Sequence, residues 1–99
     1  MEEQIMETLK QVYDPELDIS VVDLGLIRKI DISAEGDVKI DMTLTSPACP
    51  MAPQLIEAVK HMAGKAEGVQ NVDVHMVFRP PWNANTDPTD SGKFQLSML

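Results

Sequence analysis

The sequence predicts an α+β domain in the order helix, strand, strand, helix, strand, a small mixed three-stranded sheet with both helices on one face. Three observations carry this. Apolar residues recur at every second position along Val38–Leu44 and Val72–Phe78, the period of a half-buried strand. They recur at i, i+3, i+4 around Ile5–Val12 and Ala52–Ala63, the period of an amphipathic helix. The first two strands are joined by a tight turn, whereas a whole helix separates the second from the third, so a hairpin is followed by a crossover. Each element has one apolar face to bury, and both helices therefore share the apolar face of the sheet.

Taken in order, Ile5, Leu9 and Val12 lie on one face with Met6 beside them, and Glu2 and Glu3 suit the positive end of a helix dipole, giving helix one from Glu2 to Val12. It stops near Tyr13, because Pro15 biases Asp14 out of helical geometry. The loop Asp14-Pro15-Glu16-Leu17-Asp18-Ile19-Ser20 gathers three carboxylates, by default a solvated acidic turn. Gly25 in Val21-Val22-Asp23-Leu24-Gly25-Leu26 marks a bulge or a close backbone approach. Strand one continues from there: Leu24, Leu26, Ile30 and Ile32 point one way with Arg28 breaking the pattern, and Ile27, Lys29, Asp31 and Ser33 point the other. The turn Ala34-Glu35-Gly36-Asp37 leads into strand two, where Val38, Ile40, Met42 and Leu44 alternate with polar residues. Helix two runs from about Pro50 to Ala66 and closes at Gly68, with Gly64 weakening its last turns. Strand three sets Val72, Val74, Met76 and Phe78 against Asn71, Asp73, His75 and Val77.

The stretch from Thr43 to Pro53 carries the chemistry. It holds the single cysteine, Cys49, and three prolines, at the junction between strand two and helix two. Unpaired amides and the positive dipole end at a helix N-terminus favour a thiolate, which is both nucleophile and metal ligand. Free cysteines are also commonly small buried apolar residues, and spacing alone leaves both roles open. Thr45 and Ser46 place hydroxyls nearby. Asp23 either caps a backbone amide or faces the same corner. Trp82, behind Arg79-Pro80-Pro81, either covers a core edge or forms one wall of a pocket.

Composition narrows the function classes. The chain of 99 residues has room for one core, and residues 1–82 read as a single domain followed by a polar C-terminal tail, 83–99. Within that tail, Lys93–Leu96 and Met98–Leu99 read as a docking segment or a frayed end. A net charge of -8 with no basic stripe repels phosphate backbones and anionic lipid heads, which argues against nucleic acid and membranes as partners. One cysteine forms no internal disulfide, and the acidic start lacks the character of a signal peptide, so a cytoplasmic protein is expected. His61 and His75 stand at no recognised zinc spacing from Cys49, and both are expected at the surface. There is no phosphate-binding glycine loop or dinucleotide fingerprint. A cysteine hydrolase lacks support, because neither histidine has a sequence-level reason to meet Cys49.

Asp14-Pro15-Glu16-Leu17, Val22-Asp23-Leu24-Gly25-Leu26, Met42-Thr43-Leu44-Thr45-Ser46-Pro47-Ala48-Cys49-Pro50 and Pro80-Pro81-Trp82 together resemble the family once listed as domain of unknown function fifty-nine. Its members include SufT-like, PaaD-like and eukaryotic cytosolic iron-sulfur assembly proteins. Four motifs in order over residues 1–82 make the resemblance specific. It implies an iron-sulfur cluster assembly type of α/β domain and a role in maturing iron-sulfur proteins. It further implies one functional cysteine, Cys49, as a candidate iron or cluster ligand, within a polar site of Asp14, Glu16, Asp23, Thr45 and Ser46. PaaD-like relatives carry further cysteines downstream and this chain has none, which favours the SufT-like branch.

The resulting expectation is a non-enzymatic accessory factor that meets iron, a transient iron-sulfur cluster or an apo-target through Cys49. Its partners would be the assembly machinery and apo iron-sulfur proteins, and Trp82 is the candidate partner contact. Clusters generally take four protein ligands, so one thiolate needs help from a second copy, a partner's cysteines or a small thiol; a homodimer is the simplest version. Acidic neighbours would oppose the helix dipole at Cys49. The rival of a different class is an adaptor that recruits apo-targets, or a PaaD-like accessory subunit of an oxygenase complex, with Cys49 structural. A cysteine enzyme is the third reading.

Overall fold

A computed structural model describes residues 2–15, 17–45 and 52–99. The elements are α1 (Glu2–Leu9), β1 (Ile27–Ile32), β2 (Asp37–Met42), α2 (Ala52–Ala63), β3 (Asn71–Met76) and α3 (Asp90–Ser97). The first five follow the expected order, and α3 is an addition.

The sheet has the order β1-β2-β3, antiparallel between β1 and β2 and parallel between β2 and β3, so it is mixed. Val38, Ile40 and Met42 on the central strand are buried, because each has a partner on both sides: Ile32, Ile30 and Ile27 on β1, and Val72, Val74 and Met76 on β3. Above them lie Ile5 and Leu9 of α1 and Leu55, Val59 and Ala63 of α2. α1 packs on α2, and α2 on β3. The opposite face carries the exposed side chains of Lys29, Asp31, Lys39, Asp73 and His75. That is the alternation expected of a sheet with one wet face.

The register corrects one assignment. Ile27 pairs with Met42 but Lys29 pairs with Asp41, so Arg28 is an inserted residue, a β-bulge. The bulge turns Ile27 onto the core face with Ile30, not onto the polar face with Lys29 and Asp31. Strand pairing also begins at Ile27, because 21–25 form a turn with Leu24 N–H bonded to Ser20 and Gly25 N–H to Val22.

Both expected helix ends are trimmed. After Leu9 the bonds Gln11 N–H to Thr8 and Val12 N–H to Leu9 tighten to the i→i−3 type, and after Ala63 those from Lys65 to Met62 and Ala66 to Ala63 do the same. Val12 and Ala66 stay buried although neither is helical.

Candidate functional site

The carboxyl ends of the parallel strands β2 and β3 meet the start of β1 at one corner. Val77 N–H donates to the Met42 carbonyl (2.8 Å), Thr43 N–H donates to the Leu26 carbonyl (2.8 Å), and Arg28 Nη1 on the bulge donates to the Val77 carbonyl (3.3 Å). Crevices outside the carboxyl ends of parallel strands are where ligands of open α/β sheets generally sit. Thr43, Leu44 and Thr45 lead out of β2 toward residues 46–51, which join this corner to α2. Cys49 and Ser46 belong to that segment; they and Glu16 lie outside the described residues.

The described residues before and after that segment in sequence meet different parts of the chain. On the β2 side, Thr43, Leu44, Thr45, Phe78, Pro81 and Trp82 line a small cavity of about 80 Å³. The Trp82 indole is half-buried and donates from Nε1 to the Leu24 carbonyl (2.7 Å). Thr45 and Trp82 therefore share a wall. On the α2 side, Tyr13 and Pro15 border a shallow groove of about 140 Å³ with Gln54, Leu55 and Ala58 of α2. The Asp14 turn thus lies against the first turns of α2.

Asp14 departs from a solvated acidic turn: it is 1% exposed. The bridge between Tyr13 and Ser20 folds the loop back on itself, with Asp14 N–H donating to Ile19 (2.9 Å) and Asp18 N–H to the Asp14 carbonyl (2.8 Å). The Asp14 Oδ1 then accepts from Leu17 N–H (3.1 Å), so this carboxylate organises the turn from inside. Asp18 is exposed and takes the left-handed conformation, φ 56°, tolerated by aspartate.

Asp23 faces the tail. Its Oδ1 accepts from the Thr89 hydroxyl (3.2 Å), its Oδ2 from Gln95 Nε2 (3.4 Å) and its carbonyl from Thr89 N–H (2.9 Å). Thr89 also caps α3, accepting from Gly92 N–H (3.1 Å). Of the two readings open for Lys93–Leu96, a docking segment or a frayed end, the Gln95 bond to Asp23 gives the first; α3 and Thr89 carry little signal in the sequence because Gly92 and a polar run weaken the helix pattern, and the Thr89-Asp90 capping pair is the sign available. Nor does the sequence point to Phe78 and Pro81, since only the folded chain brings them beside Thr45.

Among the described residues, no three His, Cys, Asp or Glu side chains come together in a way that would hold a metal ion. His61 and His75 are exposed, and His75 Nε2 pairs with Asp73 on the wet face (3.0 Å). A chain with one cysteine brings one thiolate to a cluster, so ligands from outside the chain would have to complete the set. No helix among the described residues is long and apolar enough to cross a membrane.

A mixed β1-β2-β3 sheet with α1 and α2 on one face, and a cysteine in the sequence between β2 and α2, fits an iron-sulfur assembly type of domain. The chain belongs to the family described as iron-sulfur cluster assembly protein, whose profile matches residues 2–74. It is 45% identical over 82 residues to an Fe-S protein maturation auxiliary factor of Porphyromonas gingivalis, covering 83% of this chain and 78% of that protein. To the Fe-S protein maturation auxiliary factor SufT of Staphylococcus aureus it is 46% identical over 71 residues, 72% of this chain and 81% of the other. A crystal structure from Bacillus anthracis of a domain of unknown function, DUF59, superposes with a TM-score of 0.91 at 31% identity, covering 99% of this chain and 92% of that one. The α+β assembly-type fold and the SufT-like resemblance are thereby established.

Proposed function

We propose that this accessory factor of iron-sulfur protein maturation works through Cys49, whose thiolate transiently holds iron or a cluster and passes it to an apo-target. The observation that carries the reading is the position in the chain of the one cysteine. In the chain it follows Thr45, which lines a cavity with Trp82, and precedes α2, whose first turns face the Asp14 turn. The relatives' names, as auxiliary factors of Fe-S protein maturation, support the accessory role and agree with a protein that catalyses no reaction of its own.

Handover is a ligand exchange. The Fe–S bond to Cys49 breaks as one to a target cysteine forms, and the proton leaving the target thiol ends on Cys49. No electron is transferred. Because a single thiolate cannot satisfy a cluster, the loaded form draws ligands from a second copy, a partner or a small thiol. The other participants are the assembly machinery and apo iron-sulfur proteins. Of the flanking acids, Asp14 orients its turn and leaves the metal to Cys49.

The test is reconstitution without oxygen, with iron and sulfide, of wild type and Cys49→Ser, reading visible absorption and bound iron. Wild type should gain charge-transfer absorption at no more than one cluster per chain pair, and Cys49→Ser should stay colourless. If both stay colourless while wild type still captures apo-targets, the protein is an adaptor. That second reading draws on the exposure of Phe94, Met98 and Leu99, between 66% and 73%, along α3 and its end.

A further inference from the structure

β3 is an edge strand, and among the described residues no strand pairs with its outer side. Val77 N–H donates to the Met42 carbonyl, which sets the parity of the parallel ladder: the backbone groups of Asp73 and His75 point to β2, and those of Val72, Val74 and Met76 point off the edge. The side chains of the same three residues form the inner row and are only half-buried, whereas Val38, Ile40 and Met42 beside them on β2 are at most 1% exposed. The chain that leaves β3 runs to the segment before β1, where Asp23 accepts from Thr89 and Gln95. The other edge strand, β1, carries the Arg28 bulge, a device that discourages pairing. β3 has no bulge, and no proline, glycine or lysine stands between Asn71 and Met76.

On the wet face the register sets charges in two rows across the sheet, Asp31, Lys39, Asp73 and Lys29, Asp41, His75, each alternating in sign with His75 in the place of a cation. We infer that β3 pairs antiparallel with β3 of a second copy, centred on Val74, so that two three-stranded sheets become one continuous sheet. In that register Val74 meets Val74, Val72 meets Met76, and the outward N–H and C=O groups of all three residues find partners. Asp73 then lies opposite His75 of the second copy, twice by symmetry, so both rows run on across the seam without two like charges meeting. Sliding the pairing by one step either way puts Asp73 against Asp73 or His75 against His75. The charges therefore select one register. The dyad stands perpendicular to the sheet, which keeps the helices of both copies on one face and the charged rows on the other. Only described residues enter the inference, and it does not depend on the role of Cys49.

The test uses the full chain without iron and with a thiol reductant, so that neither a cluster nor a disulfide joins two copies. Sedimentation equilibrium gives the dimer constant, native mass spectrometry separates mixed dimers, and hydrogen exchange of β2 amides is the control for an intact sheet. Wild type is expected in a monomer–dimer equilibrium, with exchange at Val72, Val74 and Met76 slowing as concentration rises. Val74→Pro removes an N–H that the ladder to β2 does not use and sets a ring at the dyad, so it should abolish the dimer while β2 stays protected. His75→Glu sets a carboxylate against Asp73 of the second copy and should weaken dimerisation about tenfold. Mixed with Asp73→Lys, it again faces unlike charges at both places, and the mixed dimer should form about tenfold more tightly than the His75→Glu dimer. A wild type that stays monomeric up to about 1 mM overturns the inference and leaves the edge to a strand of another protein. So does a dimer that survives Val74→Pro with β2 protection intact, and so does a mixture of the two charge variants that forms mixed dimers no better than either forms its own. Should Val74→Pro lose β2 protection, the charge variants decide, since the Asp73 and His75 side chains are 61% and 53% exposed and their replacement leaves the core untouched. Failure of the reconstitution test bears on Cys49 alone and leaves this result standing.

Discussion

Replacing Trp82 with phenylalanine isolates the bond that fixes the cavity wall. The substitution removes the Nε1 donor to the Leu24 carbonyl, a 2.7 Å contact to a residue with no exposed surface. A neutral hydrogen bond contributes about 1 kcal/mol net, and a buried acceptor deprived of its donor costs about 1 kcal/mol more. The smaller ring also gives up ~20 Å² of apolar contact at this half-buried site, ~0.5 kcal/mol at ~25 cal/mol/Å². The sum is a destabilisation of about 2 to 2.5 kcal/mol, or ~10 °C in Tm for a domain of this size. Urea unfolding followed by far-ultraviolet circular dichroism measures it, with Phe78→Leu as control. Phe78 lines the same cavity, is 42% exposed and should cost below ~0.5 kcal/mol. A Trp82→Phe effect no larger than that of Phe78→Leu would show that water replaces the indole donor at no cost, and the wall would not be fixed by this bond.

Three further substitutions test the frame around the site. Ile40→Ala, at the fully buried centre of the middle strand, should cost about 3 to 4 kcal/mol in the same unfolding measurement, and a cost below ~2 would mean that the sheet and helices collapse onto the gap. Gly25→Ala forces a left-handed conformation on alanine, roughly 1 to 2 kcal/mol, and drives its methyl into the Asp87 carbonyl. Its total should exceed the conformational cost alone, with amide exchange faster in residues 83–97 than in β2. Arg28→Met keeps the aliphatic stem while removing the Val77 bond and the Asp87 pair, so about 1 kcal/mol is expected, mostly insensitive to added salt because the hydrogen bond outweighs the looser ion pair.

The sheet was legible because its signal is periodic and local. Val38, Ile40 and Met42 read as the inner row of a strand with one buried face, and Leu55, Val59 and Ala63 as the inner stripe of the crossover helix; that the strand is the central one comes from the pairing. Arg28 was visible as an interruption, but whether an interruption is a surface arginine or an inserted residue depends on the partner strand, and the register with Met42 and Asp41 is a non-local fact. Asp14 misled for a related reason: an acid beside a proline reads as a wet turn, and its burial follows from the Tyr13–Ser20 bridge. Gly25 was legible as a close backbone approach and Lys93–Leu96 as a docking segment or a frayed end, but what approaches Gly25, the Asp87 carbonyl, and what Gly92 meets, the Asp23 carbonyl, are far apart in sequence and could not be read from it. Trp82 and Thr45 were both singled out from the chain, and their shared cavity depends on the way residues 77–82 leave β3.

The bulge at Arg28 absorbs one extra residue without disturbing the phase of β1. With it, Ile27 and the Ile30–Ile32 pair are in step with the inner row of β2 although Ile30 stands an odd step, three positions, after Ile27. Deleting Arg28 would bring Ile30 to two positions after Ile27, the ordinary alternation of a strand, so β1 should re-pair without the bulge and keep Ile27, Ile30 and Ile32 on the core face. Lengthening the Ala34–Glu35 turn by one residue alters only an exposed connection. Neither change should therefore empty the core, and the loss of the arginine should be felt at the Val77 carbonyl and Asp87 that its side chain reaches. The strand thus carries one residue more than its alternation needs, and that residue is the one that reaches across to the 77–87 stretch.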